Sequence, residues 1–133
     1  MTTSPWLTLI GMDAGGFASL TPDACAALRA APTIMGPSRH LSLLPDLPAQ
    51  KLVWPVPFQA GIDQLLAMRG QPVAVLVSGD PFWFGAGSQL VCALDHKEWL
   101  ALPGRSCFSL AASVLGWALD STACLGLHAA PLT

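Results

Sequence analysis

Short apolar runs and stretches of helical spacing take turns along the chain. Trp6–Ile10 is a mostly apolar run that stops at Gly11, as a strand buried on both faces would. Thr21 then offers an N-cap with Pro22 at the first helical position, leading into a helix over Asp23–Ala31 with Cys25, Leu28 and Arg29 at helical spacing. Thr33–Met35 reads as a second strand closed by Gly36-Pro37. Ser38 can cap a short helix over Arg39–Leu44, which Pro45 ends. Lys51–Trp54 is a third strand. Ile62, Leu65 and Leu66 place one apolar stripe on a helix over Ile62–Met68, ended by Gly70. Val73–Val77, apolar throughout and rich in β-branched residues, is the clearest strand. A helix over about Ser88–Asp95, a strand at Trp99–Leu102 and a helix over Ser106–Leu119 complete the series.

Strands covered on both faces and separated by helices of about ten residues require crossover connections. The expected fold class is therefore α/β: three layers, with an open, mostly parallel sheet of about five strands and helices on both faces. There is no internal repeat and no charged tail. Pro45–Pro57 reads as loops around one strand, not as a boundary, so residues 1–133 form one domain.

Composition narrows the function classes. Hydrophobic residues make up 53% of the 133 and charged residues 11%, which speaks against disorder. A net charge of -2 with six scattered Lys and Arg argues against a nucleic-acid surface. The longest stretches without Asp, Glu, Lys or Arg, Pro81–Leu94 and Ser106–Leu119, are shorter than the ~18–20 residues of a membrane span. Met1–Pro5 lacks the basic start of a secretory signal, so the expected location is the cytoplasm. Cys25, Cys92, Cys107 and Cys124 are too widely spaced for a Cys-x-x-Cys pair and read as buried free thiols. His40, His96 and His128 are equally dispersed, and no metal site is expected.

Ligands of open parallel sheets bind beyond the carboxyl ends of the strands. Three such ends have unusual composition. Gly11-Met12-Asp13-Ala14-Gly15-Gly16 permits close backbone approach, yet Asp13 replaces the middle glycine of Gly-x-Gly and no helix is expected before Thr21. That argues against a dinucleotide fingerprint, and a purely structural turn is an equal alternative. No Walker Gly-Lys-Ser/Thr is present. Ser78-Gly79-Asp80-Pro81-Phe82-Trp83-Phe84-Gly85 sets a carboxylate and three aromatics after the best strand, either a pocket wall or an Asx turn with core-filling rings. Pro103-Gly104-Arg105-Ser106-Cys107 could supply helix caps or a third wall.

These segments, together with Leu20-Thr21-Pro22, Gly36-Pro37-Ser38-Arg39-His40-Leu41 and Leu115-Gly116-Trp117, follow an order that resembles the tetrapyrrole (corrin/porphyrin) methylase family. The Gly-Asp-Pro loop carries the family likeness. Arg39-His40-Leu41 and the Pro103–Ala112 segment look like the amino-terminal domain of its precorrin-6Y C-5, C-15 methylase branch, a decarboxylating branch of cobalamin biosynthesis.

The resemblance implies S-adenosylmethionine held between two methylase halves, with Gly11, Ala14, Gly79, Asp80, Trp83, Ser106 and Cys107 at cofactor-contacting positions. It implies a precorrin-type tetrapyrrole substrate, whose carboxylates Arg39 and Arg105 could receive, each having a solvated-cation reading beside it. Asp80 is expected to shape its loop and bond the cofactor, away from sulfur. No residue is assigned as catalytic base. Two departures stand out: Asp13 occupies a family glycine position, and Leu127-His128-Ala129-Ala130-Pro131 lacks the family's Arg. Thr133 falls about where the second half would begin, so a carboxy-terminal methylase half is an expected partner, and a homodimer is a further expectation.

Two other readings stay open. One is a different methyltransferase of the same family. The other is a non-catalytic half-domain that binds a partner. A nicotinamide-binding domain would need an acidic residue where Met35-Gly36-Pro37-Ser38 stands.

Overall fold

A computed structural model describes residues 5–13, 15–78, 87–92, 94–104 and 107–116. The apolar runs form five strands, all parallel: β1 (Leu7–Met12), β2 (Thr33–Gly36), β3 (Gln50–Val53), β4 (Val73–Ser78) and β5 (Trp99–Leu102). Between and after them lie α1 (Pro22–Ala30), α2 (Ser38–Leu41), α3 (Phe58–Ala67), α4 (Gly87–Val91) and α5 (Cys107–Leu115). The strand order is β3-β2-β4-β1-β5. The chain therefore moves one way from β1 to β3, returns to insert β4, and leaves on the other side through β5.

Side-chain alternation along the central strands builds two cores. Leu7, Leu9, Met35, Val73, Val75 and Val77 pack with Ile62 and Leu65 of α3 and Leu90 of α4. Ile10, Met12, Ile34, Ala74 and Leu76 point the other way, onto Ala24 and Leu28 of α1 and Leu41 of α2. This is the expected three-layer arrangement. Each fully buried Leu or Ile contributes about 1.5–3 kcal/mol. The edges are wetter: Gln50, Lys51 and Val53 of β3 and Leu100 of β5 are exposed.

Several boundaries differ from the pattern-based reading. β1 continues through Gly11 to Met12, because the equally long β4 pairs with it at Gly11–Val77 and Met12–Ser78. α3 begins at Phe58, four residues before Ile62; Gly61 lies inside it, where a Cβ would come 2.1 Å from the Trp54 indole. The glycine is thus a packing residue and not a breaker. A four-residue 3-10 helix, Gly16–Ser19, precedes Thr21 where no helix was expected. α2 is only four residues long, with Pro37 at its N-cap position and no side-chain cap from Ser38. Its chain runs on in tight turns, Leu43 N–H to His40 O and Leu44 N–H to Leu41 O. α4 ends at Val91. Both described thiols are free, but Cys25 is half-buried and Cys92 exposed, which corrects the expectation of burial.

At the amino edge, Glu98 binds three segments together. Its carbonyl accepts from the Trp6 and Leu7 amides. Its carboxylate accepts from Arg69 at 2.5 and 2.6 Å, from the Asp95 amide at 2.7 Å and from the Trp6 indole at 3.2 Å. Among the described residues, no helix is long and apolar enough to cross a membrane.

Candidate functional site

Because every strand is parallel, the loops after β1, β2, β4 and β5 leave from one edge of the sheet. Register fixes their neighbours: Met12 lies beside Ser78, and Ile10 beside Leu102. The crossovers from β1 and β2 run over the α1–α2 face, whereas those into and out of β4 run over the α3–α4 face. Adjacent strands whose connections part to opposite faces open a crevice between them. Here β4 has such a neighbour on each side, so the crevice centres on Ser78.

On one side of that crevice is the turn after β1. The Asp13 carboxylate accepts from the Gly15 amide at 2.7 Å and from the Ser19 hydroxyl at 2.8 Å. Gly16 N–H bonds to the Asp13 carbonyl at 3.0 Å, and Gly16 has φ +67°, a left-handed conformation that suits glycine. The Asp13 side chain therefore helps close its own turn.

On the other side is the end of β2. A Cβ on Gly36 would lie 2.9 Å from Leu76 Cβ, so the glycine lets β2 run close against β4. Beyond Pro37, two consecutive residues reach back to the end of β4. Arg39 Nη2 donates to Ser78 Oγ at 2.9 Å, and His40 Nε2 lies 3.1 Å from the same oxygen. Arg39 is exposed; His40 is buried. Burial, followed by the Arg39 charge, lowers the His40 pKa, so the ring is neutral at neutral pH. Its Nδ1 is buried with no partner among the described residues, a cost of about 1–3 kcal/mol.

Of the site residues read from the sequence, Gly11 and Arg39 stand at this edge. Cys107 begins α5. Ala14, Gly79, Asp80, Trp83, Arg105 and Ser106 lie outside the described residues, as do residues 117–133. The pattern-based reading assigned no role to His40 or Ser78, although both lay in quoted segments. An arginine-histidine pair just past the end of a strand, and a serine ending the strongest strand, were the available signals.

The family model "Tetrapyrrole (Corrin/Porphyrin) Methylases" matches residues 7–133. A precorrin-6Y C(5,15)-methyltransferase (decarboxylating) from Sinorhizobium sp is 42% identical over 130 residues, 97% of this chain and 32% of the relative. The chain thus spans about a third of that protein. Among solved structures, the methyltransferase CobJ superposes with a TM-score of 0.74 at 29% identity, covering 91% of this chain and 55% of CobJ. A uroporphyrin-III C-methyltransferase from Thermus thermophilus, complexed with S-adenosylhomocysteine, superposes at 0.62 with 28% identity, covering 81% of this chain and 47% of that one.

Proposed function

The chain belongs to the tetrapyrrole (corrin/porphyrin) methylases, and we propose that it forms part of an enzyme that methylates a precorrin at C-5, with S-adenosylmethionine as donor, in cobalamin biosynthesis. The substrate is of the precorrin-6Y or precorrin-7 type, and a second methylase half completes the cleft. A cytoplasmic setting and assembly as a homodimer go with this reading. Its main support is the register that ends β1 at Met12 beside the end of β4 at Ser78, in a chain 42% identical to a precorrin-6Y methyltransferase.

The described side of the crevice suits a sulfonium donor. The Asp13 carboxylate accepts from the Gly15 amide and the Ser19 hydroxyl, which hold it within its own turn. A carboxylate close to the sulfonium would stabilise the ground state more than the charge-dispersed transition state, and so would slow transfer. Gly11, Ala14, Gly79, Asp80, Trp83, Ser106 and Cys107 are the residues proposed to hold S-adenosylmethionine, which when bound supplies an electrophilic methyl group. The chain's own contribution is alignment: an in-line displacement by an already nucleophilic ring carbon gains most from positioning. Arg39, with no ion pair among the described residues, is the proposed receiver for a ring carboxylate. Arg105 is the second.

The test is incubation of the full-length protein with isotope-labelled S-adenosylmethionine and candidate precorrins. One labelled methyl at C-5 is expected in the product, read by mass spectrometry and carbon NMR. Methylation at another position would assign the chain to a different reaction of the family. No methylation of any precorrin would overturn the proposal in favour of a partner-binding half-domain.

A further inference from the structure

Arg39 and His40 meet at one oxygen. A guanidinium can only donate, so Ser78 Oγ accepts from Arg39 Nη2 at 2.9 Å. The hydroxyl then has its own proton to give, and His40 Nε2 lies 3.1 Å away. A neutral imidazole that accepts at Nε2 carries its proton on Nδ1, the buried atom with no partner among the described residues. An apolar side chain of similar size would avoid that unpaired atom, so the use of an imidazole here lies in Nε2.

We propose that His40 is a positioning residue that acts on Arg39 through Ser78. By accepting a hydrogen bond from the Ser78 hydroxyl at Nε2, it turns the oxygen lone pairs toward the guanidinium and holds Arg39 at the crevice in one orientation. Arg39 is exposed and would otherwise sample many rotamers. Anchoring it before substrate arrives lowers the ordering cost of binding. The anchor is itself fixed, since Ser78 pairs with Met12 in the sheet and His40 is buried beside Leu41. The consequence for substrate binding rests on the reading of Arg39 as a carboxylate receiver; the relay itself does not.

Two measurements in the full-length protein separate these layers. The first is NMR of the His40 imidazole and Arg39 guanidinium nitrogens. The relay predicts the Nδ1–H tautomer, with slow guanidinium rotation in the wild type and in His40→Gln, whose amide oxygen can accept the same hydrogen bond. Rotation is expected to be fast in His40→Leu and in Ser78→Ala; the latter decides the point should His40→Leu fail to fold. An Nε2–H tautomer, or Arg39 rotation unchanged in both variants, would overturn the proposal.

The second is kinetic. His40→Leu is expected to raise KM for the tetrapyrrole about tenfold with kcat nearly unchanged, His40→Gln to recover most of it, and Arg39→Ala to abolish the difference. A KM rise of equal size in the Arg39→Ala background would reduce His40 to a core residue and sink the positioning role. An intact relay in a protein that methylates no precorrin would overturn the functional reading while upholding the relay.

Discussion

At the amino edge of the sheet, Arg69 hydrogen bonds above all, then the Asp95 amide and the Trp6 indole, lower the Glu98 pKa to about 2. An unfolded glutamate titrates near ~4.3, so the folded value is the lower one. The stabilisation from this group is therefore complete above that value and is lost as pH falls toward 2. Glu98→Gln should flatten the acid limb of a urea-midpoint series between about pH 6 and pH 2, while leaving its shape near neutrality unchanged. An unchanged acid limb would show that the carboxylate contributes nothing through its ionisation. Single residues were the least legible scale. Asp13 reads as a lost glycine, and only the fold reveals that its carboxylate takes over the turn. Arg39 was visible as a candidate, but its partner Ser78 stands 39 positions away in sequence and adjacent in space.

Elements were far more legible, and the exceptions have identifiable causes. α1 starts where the Thr21-Pro22 pair places it, with Thr21 Oγ1 accepting the Ala24 amide at 3.3 Å. Thr21→Ala should lower stability by about 1 kcal/mol, measured by urea denaturation. The start of α3 was missed because the apolar stripe Ile62, Leu65 and Leu66 marks only its later turns. Trp54 rests against its bare Cα and donates to the Phe58 carbonyl at 3.2 Å. Gly61→Ala would gain about 1 kcal/mol of helix propensity. It would also force the indole away, at about 1–3 kcal/mol. The expected outcome is a net loss of up to about 2 kcal/mol with an altered tryptophan emission; a stabilised variant would mean that Trp54 moves without cost. β1 was read two residues short because strand ends depend on the partner that continues the ladder, and β4 is distant in sequence.

For the molecule as a whole, the decisive quantity is how much of the cleft the chain contains. It spans 32% of the Sinorhizobium relative and 55% of CobJ. If a second half supplies the facing wall, the 133-residue chain by itself should fold, bind S-adenosylmethionine weakly and turn over no precorrin. Titration calorimetry and a turnover assay check this, and efficient catalysis by the chain alone would refute it. By itself, the sequence determined the layer architecture: doubly buried apolar runs alternating with helices can satisfy their backbones and cover both faces only as a parallel sheet. It also marked the loops worth attention, because glycine and proline clusters follow local backbone rules. Only the tertiary structure decided the strand order and the crevice at Ser78. It alone brought Arg39, His40 and Ser78 onto one oxygen. Crossover direction and long-range hydrogen bonds arise from packing among segments far apart in the chain, and no local pattern encodes them.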